Sequence, residues 1–285
     1  MGRMRILTTT DHNRDSAGMS YVYPVVSRRA GGVSVGVNLN VNNACNWRCI
    51  YCQVPDLRRG RAPPVDLDKL EGELREFLEQ ALEGDFLRLH APPEARRMTD
   101  IALSGNGEPT SAREFEQVIE RIARVMADFR LQKEVKLVLI TNGSLIHHSR
   151  VQQGLRRMAR SNGEVWFKID RATAEGRYRV NGSRIAVERV KHNLKASAAL
   201  CPTWVQTCLF ALDGQAPARD ELDAYLDLLA AALQEGISLR GVLLYGLARP
   251  SLQPEAPRLS PLPAEWLESF GREIAALGLT ARVSA

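Results

Sequence analysis

The chain has 285 residues, 45% of them hydrophobic and 25% charged, with a net charge of +5. That apolar share supplies a sizeable core and excludes a disordered or fibrous chain. No run of about 18 apolar residues supports a membrane span. The start, MGRMRILTTTDHNRDS, lacks the apolar stretch of a secretory signal, so a cytoplasmic location is expected. The charge is uneven: residues 150–195 hold twelve Lys and Arg against four acids. Such a surplus points to an anionic substrate or RNA, or to nothing more than solvated helix faces.

In chain order, Tyr21 to Arg29 followed by Ala30-Gly31-Gly32 reads as a strand and a tight turn. Val33, Val35, Val37, Leu39 and Val41 alternate with Ser34, Gly36, Asn38 and Asn40, which predicts a strand with one buried face. Leu67, Leu70, Leu74, Phe77, Leu78 and Ala81 recur at helical spacing over 66–82, with Asp66 as N-cap. A strand follows at 100–104, then a helix at 111–128 opened by a capping box of Ser111 and Glu114. Strands at 135–140, 165–169, 203–210 and 238–245 then alternate with helices at 149–160, 185–199, 219–234 and 262–277. A short edge strand at 279–283 closes the pattern.

Six strand-then-helix units with near-continuous apolar strands imply a parallel sheet covered by helices. Six are too few for a closed eight-stranded barrel, so an open, partial (β/α)6 barrel of TIM type is expected. Residues 1–30 form an N-terminal extension and lead-in strand, and 31–285 the barrel domain. Chemistry in such sheets sits at the carboxyl ends of the strands.

Five cysteines are present, three of them crowded into Cys45-Asn46-Trp47-Arg48-Cys49-Ile50-Tyr51-Cys52 directly after the first strand of the barrel. This is a poor disulfide framework. A structural zinc wants four closed ligands, and no His or Cys within twenty residues supplies a fourth. Three thiolates at this spacing suit an iron–sulfur cluster with one iron left open. Cys201 and Cys208 are too few for a second cluster and read as packing residues. His12, His90, His147, His148 and His192 read as surface residues.

C-x3-C-x2-C with an aromatic before the last cysteine resembles the signature of the radical S-adenosylmethionine enzymes. The resemblance implies one 4Fe-4S cluster on Cys45, Cys49 and Cys52, with S-adenosylmethionine chelating the open iron. One electron from a flavodoxin- or ferredoxin-like reductant then yields a 5′-deoxyadenosyl radical. Tyr51 matches the aromatic near the adenine. Ser104-Gly105-Asn106-Gly107-Glu108-Pro109 resembles the family's motif for the methionine amino group, with Asn106 in place of a glycine. Thr141 and Asn142, at the end of the third barrel strand, match ribose contacts or a plain Asn-Gly turn. Lys168 and Asp170 end the next strand and must be paired or used: either a buried ion pair or contacts to the cofactor's carboxylate or ribose. Gln206, and more weakly Tyr245 and Arg249, complete the candidate contacts.

From about residue 21 onward the chain looks like the branch that contains the wyosine-base synthases of tRNA. The shared features are Gln53 after the cysteines, the SGNGEPT string, the Lys168-x-Asp170 strand end and Gly246-Leu247-Ala248-Arg249-Pro250. Those synthases carry a second cluster on three further cysteines, which this chain lacks. The substrate reaction is therefore not carried over. A small metabolite is the favoured substrate and RNA the alternative. A lid over the radical is expected from 1–30, 53–65 and 84–97.

Overall fold

The computed structural model describes residues 6–8, 18–27 and 31–284. Val33, Val35 and Val37 are fully buried under the helices, as their alternation predicts. Strand β1 (Val22–Ser27) pairs antiparallel with β2 (Gly32–Val37). Parallel strands β3 (Met98–Leu103), β4 (Lys136–Thr141), β5 (Gly163–Lys168), β6 (Thr203–Cys208), β7 (Leu239–Tyr245) and β8 (Ala281–Ser284) then follow. The strands lie side by side in sequence order, and the sheet is open between β1 and β8. This is the expected partial barrel.

The helices are α1 (Leu67–Leu82), α2 (Phe86–His90), α3 (Phe115–Asp128), α4 (Ser149–Arg160), α5 (Ala174–Asn181), α6 (Val187–Leu200), α7 (Arg219–Gln234) and α8 (Ala264–Ala276). Asp66 caps α1 by accepting from the Lys69 amide, and Leu70, Leu74, Phe77 and Leu78 sit in the main core. Among the described residues no helix is long and apolar enough to cross a membrane.

Four local readings are corrected. Strand β2 stops at Val37, because the Asn38 carboxamide accepts from the Asn40 amide and turns the chain; Val41 is exposed. All of β2 is buried, not one face alone: its polar face, with Ser34 and Gly36, looks into the barrel. The capping box does not form. Ser111 donates to the Glu108 carbonyl and accepts from the Ala62 amide, so α3 begins only at Phe115 with no side-chain cap. Helix α5 was not expected. Its buried residues are Gly176, Arg177, Val180 and Asn181, which carry almost no apolar periodicity. His12, the expected strand end at 28–29 and Ala30 of the expected turn lie outside the described residues, as does much of the 1–30 extension.

Candidate active site

The site grows out of a run of asparagines. The Asn38 carboxamide also accepts from the Asn106 amide, and Asn40 donates to the Ala44 carbonyl. Ala44–Cys45 then pairs with Arg58–Arg59 in a two-residue ladder. These bonds fold residues 42–61 into a loop over the carboxyl ends of the strands. A cavity of about 290 Å3 lies beneath it, lined by Cys45, Cys49 and Cys52 together with Tyr51, Ser104, Gly105, Asn106, Gly107 and Glu108. Thr141, Asn142 and Lys168 line it too, and Ser34, Asp100 and Trp166 carry it into the barrel.

The three thiols are free, and among the described residues no three His, Cys, Asp or Glu side chains converge as a single-ion site. Three sulfurs spread around one loop would suit a polynuclear cluster better than a zinc ion, which wants four closed ligands. Burial pushes the Cys45 thiol up to about 12 despite the Trp47 N–H pointing at it. Burial also raises Cys49, whose sulfur accepts from the Asn181 carboxamide at 3.3 Å.

Glu108 bridges the two neighbouring strand ends. It is 2% exposed, and its carboxylate accepts from the Thr110 amide and hydroxyl, from Thr141 Oγ1 at 2.6 Å and from the Asn142 amide at 2.7 Å. Burial pushes this carboxyl above its usual range, and the four donors work against that push. Gly105 and Gly107 are glycines for a steric reason. A Cβ at Gly105, whose φ is +128°, would sit 2.5 Å from Asn38 Oδ1, and one at Gly107 would sit 2.1 Å from the Ala44 carbonyl oxygen. The loop between β3 and α3 thus packs bare backbone against the cysteine loop.

Lys168 and Asp170 are paired through Tyr51. The Lys168 ammonium donates to the Tyr51 hydroxyl at 2.6 Å and lies 4.0 Å from Asp170. Tyr51 donates in turn to Asp170 Oδ2, which also takes the Asn181 carboxamide, and the Cys208 amide fills Oδ1. Burial opposes the lysine's charge most strongly, but Asp170 together with Tyr245, Cys49 and Cys208 outweighs it and the pKa rises. Desolvation likewise raises the Tyr51 hydroxyl.

The cysteines, Tyr51, Ser104 to Glu108, Thr141, Asn142 and Lys168 therefore share one cavity. Asp170 and Gln206 do not line it. Gln206 is 1% exposed inside the barrel, and neither of its amide atoms has a partner among the described residues. Tyr245 accepts from Lys168, and Arg249 lines the cavity. Cys208 ends β6 and Cys201 lies two residues before its start, about 23 Å away at some 3.3 Å per residue. His147 and His148 stack on each other, with no metal-binding partner among the described residues.

Two sets of residues escaped the sequence reading. Asn181 reaches both Cys49 and Asp170 from the unforeseen helix α5. The segment after β7 straps the loop down: Ser251 donates to the Ile50 carbonyl, Gln253 to those of Cys52 and Val54, and Arg48 forms a two-bond ion pair with Glu255. For the loop itself, the density of Asn38, Asn40, Asn42, Asn43 and Asn46 is a usable signal of side chains replacing regular pairing.

A half-open parallel barrel with three cysteines over its carboxyl end defines a cluster-bearing enzyme class. A family model described as the Radical SAM superfamily matches residues 39–229, and the chain belongs to that superfamily. Its members use a 4Fe-4S cluster and S-adenosylmethionine. A UPF0026 protein of Helicobacter pylori (strain ATCC 700392 / 26695) is 32% identical over 135 residues, covering 47% of this chain and 38% of the relative. A UPF0026 protein of Synechocystis sp. is 27% identical over 135 residues, covering 47% of this chain and 43% of the relative. The chain thus spans less than half the length of the curated relatives it matches. A structure of TYW1 with a lysine-pyruvate adduct bound aligns with a TM-score of 0.56 at 14% identity, covering 85% of this chain and 73% of that one. At that identity the likeness concerns the fold alone.

Proposed function

We propose that Cys45, Cys49 and Cys52 hold the 4Fe-4S cluster and that S-adenosylmethionine occupies the cavity below it. The carrying observation is that all three thiols face the same cavity as Glu108 and the bare backbone of Gly105 and Gly107. When bound, the pair supplies a 5′-deoxyadenosyl radical able to abstract hydrogen from a substrate. Glu108 offers its carboxylate to the cofactor's ammonium, and Lys168, held charged, offers a cation to the carboxylate. Tyr51 contributes an aromatic face, and Thr141 and Asn142 bring polar groups to the sugar. Asp170 acts one step back, fixing Tyr51 and Lys168. Gln206, whose amide finds no partner among the described residues, sits inside the barrel but outside the lining of this cavity.

The reading favours a small substrate. The cavity descends between Ser34, Asp100 and Trp166, a space for a metabolite beside the cofactor. The basic stretch gives little support to RNA. Lys168, Arg171 and Arg177 turn inward, and Arg157 and Lys191 are engaged by Glu116 and Glu235. The test is anaerobic reconstitution with reductant and cofactor, followed by mass spectrometry for 5′-deoxyadenosine. Fractions of cell extract that raise the turnover then identify the substrate. A fully iron-loaded protein that releases no 5′-deoxyadenosine overturns the reading.

A further inference from the structure

The cysteine loop is a wall one residue thick. Cys45 and Trp47 line the cavity, whereas Asn46 between them lines a second hollow, of about 330 Å3, on the outer side. Gly60, Arg61, Arg113 and Arg150 surround that hollow, and among the described residues no carboxylate lines it. Arg61 and Arg113 are exposed. Arg150 is half-buried and steered by long bonds to the Thr110 and Ala112 carbonyls. None of the three forms an ion pair among the described residues, although many other arginines here do. The loop adds to the charge: residues 42–61 hold four arginines and a single acid. The pKa of nearby His148 is lowered by burial, then by His147 and Arg150, in keeping with a positive field.

These cations face away from the space where a substrate must meet the radical. They lie instead against Asn46, next to Cys45 in the chain, and Gly60, whose amide donates to the Cys45 carbonyl. A substrate or RNA bound here would be on the wrong side of the wall, whereas an electron needs only proximity. We propose that this arginine-rimmed hollow, carried by Arg61, Arg113 and Arg150, is the docking surface for an acidic one-electron carrier protein of the flavodoxin class. The carrier's reduced flavin would lose one electron and so be oxidised by one step, and a cluster on the three cysteines would gain that electron; no atom moves. The assignment rests on the cluster assignment made above. Unpaired rim arginines give such a complex its speed and salt dependence more than its buried area.

The test uses a purified acidic flavodoxin and two charge-reversal variants. Arg61→Glu/Arg113→Glu reverses the hollow without touching Arg150's backbone bonds, and Arg156→Glu/Arg160→Glu reverses exposed charges at the far end of α4 as a control. Titration of flavodoxin onto the cluster-free protein at low salt should show roughly tenfold or weaker binding for the first variant only. That loss should vanish at high salt, where the charges are screened. With the cluster loaded, flavodoxin-driven formation of 5′-deoxyadenosine should fall by a similar factor while dithionite-driven formation stays unchanged. Equal binding and equal flavodoxin-driven rates for both variants overturn the proposal. So does a first variant that keeps flavodoxin binding but loses a total tRNA pool, since the surface would then bind nucleic acid. Loss of the dithionite-driven reaction in the parent protein counts against the cluster assignment instead.

Discussion

Cys49 lies under Asn181 and over the cavity, and no spare thiol replaces it: Cys208 is fully buried and Cys201 lies before the start of β6. Cys49→Ala should therefore abolish the broad visible absorbance of the reconstituted protein together with 5′-deoxyadenosine formation. A variant with full iron and full cleavage would refute the ligand assignment. Glu108 is subtler, because it ties Thr110, Thr141 and Asn142 together besides facing the cavity. Glu108→Gln should keep the iron but weaken cofactor binding roughly ten- to hundred-fold, the worth of about 1.5–3 kcal/mol for a charge-assisted bond. The pH dependence fixes the sign. Burial raises the Glu108 pKa, so the folded free protein keeps the proton to a higher pH than the unfolded chain does and loses that share of stability as pH rises from the ordinary carboxylate range through the raised pKa. An ammonium ligand needs the carboxylate, so its affinity should fall on acidification at a higher pH than an exposed glutamate would give. Calorimetry across pH should show this fall in the parent and a flat profile in Glu108→Gln. Lys168 illustrates the opposite choice: held charged, it suits a carboxylate and is a poor nucleophile for imine chemistry.

Elements owe their positions to contacts that the pattern of apolar residues records unevenly. Helices α4 and α7 match the sequence-based bounds residue for residue, because their buried faces are apolar and evenly spaced. Helix α5 has no such face; it is held by the Thr173 cap and by Arg177 and Asn181 reaching inward. Polar anchoring of that kind leaves no periodic trace. The β3–α3 loop depends on bare backbone, so Gly107→Ala forces a Cβ against the Ala44 carbonyl and must shift the cysteine loop. We expect a stability loss of about 1–3 kcal/mol by thermal unfolding, with a lower iron content per chain. An unchanged melting point and full iron would show that the two loops are not closely packed.

Across the whole molecule, the alternation of strands and helices was readable from sequence because the outer faces of most barrel strands are apolar and helix-covered, with Thr203 and Thr207 on β6 as exceptions. The three cysteines and the Ser104–Glu108 string were readable because they sit on two adjacent strand ends. The strap at 251–255 was not, since it grips carbonyl groups, which every residue carries. The interior was only partly legible: Asp170 reads as a contact residue by alternation, yet both its oxygens are spent on Tyr51, Asn181 and Cys208. Cluster number follows from the same scale. With Cys201 among the outer core residues and Cys208 inside, the chain should bind about four irons. Cys201→Ser/Cys208→Ser should keep that count. About eight irons falling to four in the variant, by iron analysis and paramagnetic resonance, would restore a second cluster.

The strap also sets an order of events during biosynthesis. The cysteines emerge from the ribosome early, but Asn181, Ser251, Gln253 and Glu255, which hold their loop, are made some 130 to 200 residues later. Iron delivered to the unfinished chain would meet three loose thiols rather than a formed socket, so maturation is expected after translation. Stalled nascent chains should show it. Those ending before Ser251 should leave Cys45, Cys49 and Cys52 open to alkylation, and those extended far enough for residue 255 to clear the ribosome should slow it. Equal labelling at both lengths would mean that the socket forms without its far end.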